Sequence, residues 1–160
     1  SKKANDALEK ALDLSHQALV DVRQSVSALR SPTMLDLPLP EMIAELVNNV
    51  DAGRMKTALE ILGSPRILTA QSRLTFYRST QEALNNSVKH SQATKVSVII
   101  NYESPDEVVM TINDNGLGTD QMDGGFGLIG IKERVHLLNG DVQFISAKGQ
   151  GFAVEIRLPG

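Results

Sequence analysis

Glu82, Asn86 and His90 recur every four residues in Gln81-Glu82-Ala83-Leu84-Asn85-Asn86-Ser87-Val88-Lys89-His90, and in a helix that spacing stacks them on one face. Lys89 lies beside them and Leu84 on the opposite side. A neutral amide oxygen such as that of Asn86 suits magnesium, which keeps several waters and completes its shell with phosphate oxygens. Lys89 and His90 would then be placed to meet the phosphates. Taken alone, the decapeptide is equally compatible with a solvated helix face.

A second segment, Asp114-Asn115-Gly116-Leu117-Gly118, directly follows an apolar strand-like run. An aspartate at a strand end can accept a hydrogen bond from an exocyclic amine, and the adjacent glycines let a ligand approach the backbone closely. Adenine meets both conditions. The segment does not match a calcium loop, because Gly116 stands where that pattern wants Asp or Asn. In the third segment, Gly124-Gly125-Phe126-Gly127-Leu128-Ile129-Gly130-Ile131-Lys132-Glu133-Arg134, glycines lead into a helix. Free N–H groups at the positive end of a helix dipole attract phosphate. Gly125, Gly127 and Gly130 also satisfy the G-x-G-x-x-G spacing of dinucleotide enzymes, but they stand near the end of the chain without a surrounding βαβ unit. A nicotinamide cofactor is therefore not expected.

These segments need elements to hold them. Leu8, Leu12, Ser15, Leu19, Val22, Val26 and Leu29 recur at steps of four and three, a narrow helical seam that buries itself well only against other helices. Ser31-Pro32 ends this arm, and the proline-punctuated Leu37-Pro38-Leu39-Pro40 marks a boundary. The expected organisation is an arm over residues 1–30, a linker over 31–40 and a globular domain over 41–160. Within that domain the spacing predicts a helix over 41–52, a strand over 55–62 and a long helix over 69–91. Leu74, Tyr77, Leu84 and Val88 should form the inner side of the long helix. Strands at 95–102 and 107–113 form a hairpin across Glu103-Ser104-Pro105-Asp106. A short helix ending near Asn139-Gly140 and strands at 142–146 and 152–158, joined by a turn at Lys148-Gly149-Gln150-Gly151, complete the pattern. Helices and strands are mixed without strict alternation, which favours an α+β two-layer sandwich over a doubly wound sheet.

The chain has 160 residues, 41% hydrophobic and 22% charged, as a soluble globular domain with an appendage would. No apolar run approaches the ~20 residues that span a bilayer, so these residues are expected to make no membrane contact. The absence of cysteine rules out disulfides and thiolate metal sites and fits a cytoplasmic location. A net charge of -3 argues against direct nucleic-acid binding. Ser1 to Lys10 do not read as a signal peptide, and the chain is expected to begin partway through a longer protein, whose membrane attachment lies outside these residues.

In this order the three segments resemble the N, G1 and G2 boxes of the superfamily that joins histidine kinases, type II topoisomerase ATPases, MutL and Hsp90-type chaperones, with its Bergerat-type ATP-binding fold. Glu82-Ala83-Leu84-Asn85-Asn86 with Lys89-His90, and Gly125 through Arg134, look like one subgroup of two-component sensor histidine kinases, whose response regulators usually carry a LuxR-type DNA-binding output. Gln17 through Arg30 is similar to the second helix of that subgroup's dimerisation and phosphotransfer hairpin. The resemblance implies ATP and Mg²⁺ as cofactors, a homodimeric parent and transfer of the γ-phosphoryl to a histidine for relay to a response regulator.

By the same resemblance Asn86 coordinates Mg²⁺, Lys89 and His90 contact phosphate, and Asp114 binds the adenine amino group. Gly116, Gly118, Gly125, Gly127, Leu128 and Gly130 shape the pocket and its mobile lid. Glu82 matches the N-box acid and is a candidate base, in competition with an acidic residue beside the acceptor histidine. Gly149-Gln150-Gly151 looks like a shortened final glycine box with a turn role. The acceptor histidine belongs on the first hairpin helix, which these residues do not include. His16 is no substitute, being followed by Gln17 and set one position off the seam, and His136 reads as a surface or packing residue. Alternatives are an ATP-driven conformational module and an anti-sigma-factor-type serine kinase, neither of which would be expected to carry the helical arm.

Overall fold

The computed structural model describes residues 2–30, 36–50, 53–120 and 126–160 of the chain. Two compact units divide between Leu37 and Pro38. The first contains a single helix, α1 (Lys2–Arg30), on which the seam residues Leu8, Leu12, Leu19 and Val22 are all exposed. No helix among the described residues is long and apolar enough to cross a membrane.

The second unit runs α2 (Leu39–Asn48), β1 (Lys56–Leu62), α3 (Ala70–His90), β2 (Lys95–Asn101), β3 (Glu107–Asp114), α4 (Phe126–Leu137), β4 (Asp141–Ser146) and β5 (Phe152–Pro159). Helix α2 begins at Leu39, ahead of the expected Glu41, because proline is tolerated in a first helical turn, where N–H groups have no intrahelical partner anyway. Leu39 is itself a core residue. The strands form one mixed sheet in the order β1-β2-β3-β5-β4, with β1 parallel to β2 and every other pair antiparallel.

Alternation along the strands assigns the faces. Val96, Val98 and Ile100 of β2, Val108, Met110 and Ile112 of β3, and Val154, Ile156 and Leu158 of β5 are buried on one side. On that side α2 packs against β1 and α3, α3 lies against β3 and β5, and α4 lies against β4, β5 and α3. The opposite face carries polar rows, including Arg157 with its ion pairs to Glu107 and Glu155. This is the two-layer α+β sandwich expected from the sequence. At the end of the sheet where the β2–β3 turn lies, Arg66 donates to the carbonyls of Tyr102 (3.0 Å) and Glu107 (2.8 Å). Burial raises the Tyr102 phenol above its ordinary pKa of 10, and the neighbouring Arg66 cation works in the opposite direction.

The inner side of α3 differs from the expectation. Leu84 is buried, but Leu74 and Tyr77 are only half-buried and Val88 is exposed. The face against the sheet is made instead by Ser72, Thr75, Phe76, Ser79, Thr80, Ala83, Leu84 and Ser87. Small residues let the helix lie close to the strands, and two of the buried hydroxyls have acceptors in reach, Thr80 the Phe76 carbonyl four residues back (2.8 Å) and Ser87 the Ala83 carbonyl (3.1 Å) and the Asp114 carboxylate (2.7 Å). Thr69 starts the helix by accepting a hydrogen bond from the Ser72 amide at 3.1 Å.

Candidate nucleotide-binding site

Asp114 is the last residue of β3 and continues the inward row of Val108, Met110 and Ile112. The two-residue period that buries those apolar side chains also carries a carboxylate into the interior, where it is only 4% exposed. A buried charge needs donors. Oδ1 accepts from the Gly116 amide at 2.8 Å and Oδ2 from the Ser87 hydroxyl at 2.7 Å. A carboxylate offers about four acceptor positions, so capacity remains for a ligand.

The segment after Asp114 is bolted down on both sides. Asn115 accepts from the amides of Thr94 (3.0 Å) and Lys95 (2.8 Å) through Oδ1 and donates to Thr94 Oγ1 (3.0 Å). The Leu117 amide donates to the carbonyl of Ser91, the C-cap of α3, at 2.8 Å. Gly116 presses on that same residue, with only 2.5 Å between the place of a Cβ and Ser91 Cβ. On the far side, Thr119 donates to Ser146 Oγ (2.8 Å), which in turn donates to the Gly151 carbonyl (2.8 Å), and Lys148 donates its amide to Asp120 (2.9 Å).

Gly118 and Gly151 hold this arrangement in ways other residues would not. Both have positive φ, +62° and +79°, and a Cβ on Gly118 would lie 2.6 Å from the Gly151 carbonyl oxygen. A Cβ on Gly151 would drive into the backbone carbonyl of Asp114. The turn role expected of Gly149-Gln150-Gly151 is accompanied by a function the sequence did not reveal, namely close packing on the backbone of the acidic residue.

Glu82 and Asn86 are half-buried on α3, and Asn86 directly precedes the serine that holds Asp114. Lys89 and His90 are exposed in the last turn, where positive charge is also favoured by the helix dipole. The Glu82 side chain lies against Gly127 of α4, with its Cδ 2.8 Å from where a Cβ would stand. This contact brings the first and third segments together. Leu128 packs against the core and Gly130 is half-buried, while Gly125 falls outside the described residues. At Gly130 the first atom a Cβ would meet is Arg134 Nη1 at 3.3 Å, the end of a flexible side chain. Gly130→Ala should therefore leave nucleotide binding within about twofold and raise stability by about 0.5–1 kcal/mol through helix propensity. Thermal melting with and without nucleotide checks this, and a large loss of binding would give Gly130 a direct part in the pocket.

Among the described residues no group of three or more His, Asp or Glu side chains could hold a metal ion. Asn86 carries an amide oxygen, a donor type compatible with a cation that takes most of its ligands from phosphate and water.

Residues 71–160, from the first turn of α3 onward, match the family described as histidine kinase-, DNA gyrase B-, and HSP90-like ATPase. The chain belongs to that family. It is 31% identical over 151 residues to the sensor histidine kinase ComP of Bacillus subtilis, covering 85% of this chain and 18% of ComP. Over 156 residues it is 32% identical to the sensor histidine kinase LnrJ of the same organism, covering 96% of this chain and 38% of LnrJ. The chain thus spans less than half the length of these curated relatives. The solved structure of the Acinetobacter baumannii histidine kinase AdeS matches with a TM-score of 0.64 at 16% identity, over 93% of this chain and 84% of that one, a likeness of fold. The resemblance implied by the three boxes holds at the level of the ATP-binding region of a histidine kinase.

Proposed function

We propose that this chain is the catalytic module of a two-component sensor histidine kinase, binding Mg-ATP and transferring the γ-phosphoryl group to a histidine nitrogen on a separate helix. The observation that supports it most is the buried Asp114 carboxylate, held by Ser87 and Gly116 beside the N-box helix in a chain of this ATPase family. Asp114 receives the exocyclic amine of adenine. Asn86 offers its amide oxygen to magnesium, which when bound would neutralise phosphate charge. Lys89 and His90 contact phosphate oxygens, and the glycine-rich segment that carries Gly127 and Leu128 borders them. In the transfer the bond from the γ-phosphorus to the bridging oxygen of ADP breaks as the phosphorus–nitrogen bond forms, and the histidine loses its proton to a base. Glu82 is a candidate for that base. The residues act mainly by positioning and by charge neutralisation.

Helix α1, with its exposed seam, serves in this reading as the second helix of a dimerisation hairpin. The parent is then a homodimer working in the cytoplasm, and phosphohistidine is its donor to a response regulator with a LuxR-type output. Calorimetric titration with ATP and ADP in the presence of magnesium tests the pocket. Adding a separately made dimerisation domain that contains the acceptor histidine should then yield acid-labile, base-stable phosphate on it. Binding without transfer would turn the reading toward a conformational ATPase or a serine kinase, and absence of binding would remove the pocket assignment.

A further inference from the structure

The adenine reading leaves unexplained why a serine stands next to Asn86 on the sheet-facing side of α3. We propose that Ser87 is the positioning residue for base recognition: its hydroxyl fixes the rotation of the Asp114 carboxylate and thereby sets where the purine amine is received. The inference rests on the assignment of Asp114 to adenine.

Ser87 is 3% exposed and Asp114 4%, so water does not compete freely for their contact. The hydroxyl has one proton and two acceptors in reach, the Ala83 carbonyl at 3.1 Å and Asp114 Oδ2 at 2.7 Å. The shorter contact is to the ionised group, and charge-assisted bonds of this kind are the stronger ones, so the proton goes to the carboxylate. The Gly116 amide takes the other oxygen at 2.8 Å. One donor comes from the helix and one from the loop. With one on each oxygen, the carboxylate plane cannot turn without breaking a bond, and the remaining lone pairs point in fixed directions.

Ser87 is held as firmly as the group it holds. Its carbonyl accepts from Ser91 Oγ at 2.6 Å, and the Ser91 carbonyl accepts the Leu117 amide at 2.8 Å. The last turns of α3 therefore grip the loop from Asp114 to Leu117 at both its side chain and its backbone. Without the hydroxyl, Oδ2 keeps no protein donor among those described, and the carboxylate is free to rotate about the Gly116 bond. The amine would then meet a disordered acceptor, and part of the binding energy would go into ordering it.

The test compares ATP with purine riboside triphosphate, which has hydrogen in place of the 6-amino group, by calorimetry on the whole chain. Alanine is the better helix former, so Ser87→Ala should fold. It is expected to weaken ATP about tenfold, the range for a hydrogen bond to a charged group, while affinity for the analogue stays within about twofold. Ser87→Cys, similar in size and a weaker donor, should fall between the two for ATP alone and preserves the test if alanine disturbs the fold. Equal losses for both nucleotides would make Ser87 a structural residue and overturn the proposal, as would unchanged ATP affinity in Ser87→Ala. If the unmodified chain binds ATP no better than the analogue, the adenine assignment itself fails.

Discussion

Asp114→Ala is expected to lower ATP affinity by about 100-fold while leaving the protein folded. A hydrogen bond from a neutral donor to a buried carboxylate contributes about 1.5–3 kcal/mol, and each 1.4 kcal/mol is a factor of ten in affinity. Loss of the side chain also strips the Ser87 hydroxyl and the Gly116 amide of a shared acceptor. The hydroxyl can turn to the Ala83 carbonyl, 3.1 Å away, so the damage to stability is smaller than the damage to binding. Calorimetry with ATP, together with thermal melting of the nucleotide-free protein, separates the two effects. Asp114→Asn should lie between alanine and the parent, because its amide oxygen can still accept from Gly116 while its NH₂ faces the donor on Ser87. Unchanged ATP affinity in both variants would mean that the base is recognised elsewhere.

The placement of Asp114 was legible because strand periodicity is a strong signal. Val108, Met110 and Ile112 alternate inward, and Asp114 is next in phase. The β2–β3 hairpin was legible for the same reason, with Val96, Val98 and Ile100 facing in on the partner strand. Helix α3 was harder, because a search for large apolar residues passes over a face built of serine, threonine and alanine. That face does carry a helical period, through Ser72, Thr75, Ser79, Ala83 and Ser87, but it is polar or small throughout, and the hydrogen bonds that let Ser72 and Ser87 be buried are displayed only by the structure. Ser87 was missed as a site residue on those grounds. The contact of Gly151 with the Asp114 backbone was hidden for another reason. It joins segments far apart in sequence, and a turn at Lys148-Gly149-Gln150-Gly151 already accounted for those glycines. Local pattern thus placed the candidate side chains on their elements, while long-range packing determined what holds them.

The same division shapes the expectation for Asn86. Its side chain is half-buried on a helix whose next residue grips Asp114, so truncation should disturb the helix little, and alanine is intrinsically the better helix former. Phosphotransfer to a supplied acceptor domain is nevertheless expected to fall by about 10²–10³-fold, the size seen when one preorganised electrostatic contact to a transition state is removed. The loss should appear only with magnesium present. ATP affinity measured in a chelator should be the same for Asn86→Ala and the parent, because the adenine contact proposed for Asp114 does not pass through the amide. Asn86→Asp retains an oxygen donor and should recover part of the magnesium-dependent rate. Equal falls in affinity with and without magnesium would assign Asn86 to direct nucleotide contact, and wild-type transfer in Asn86→Ala would remove it from the metal site altogether.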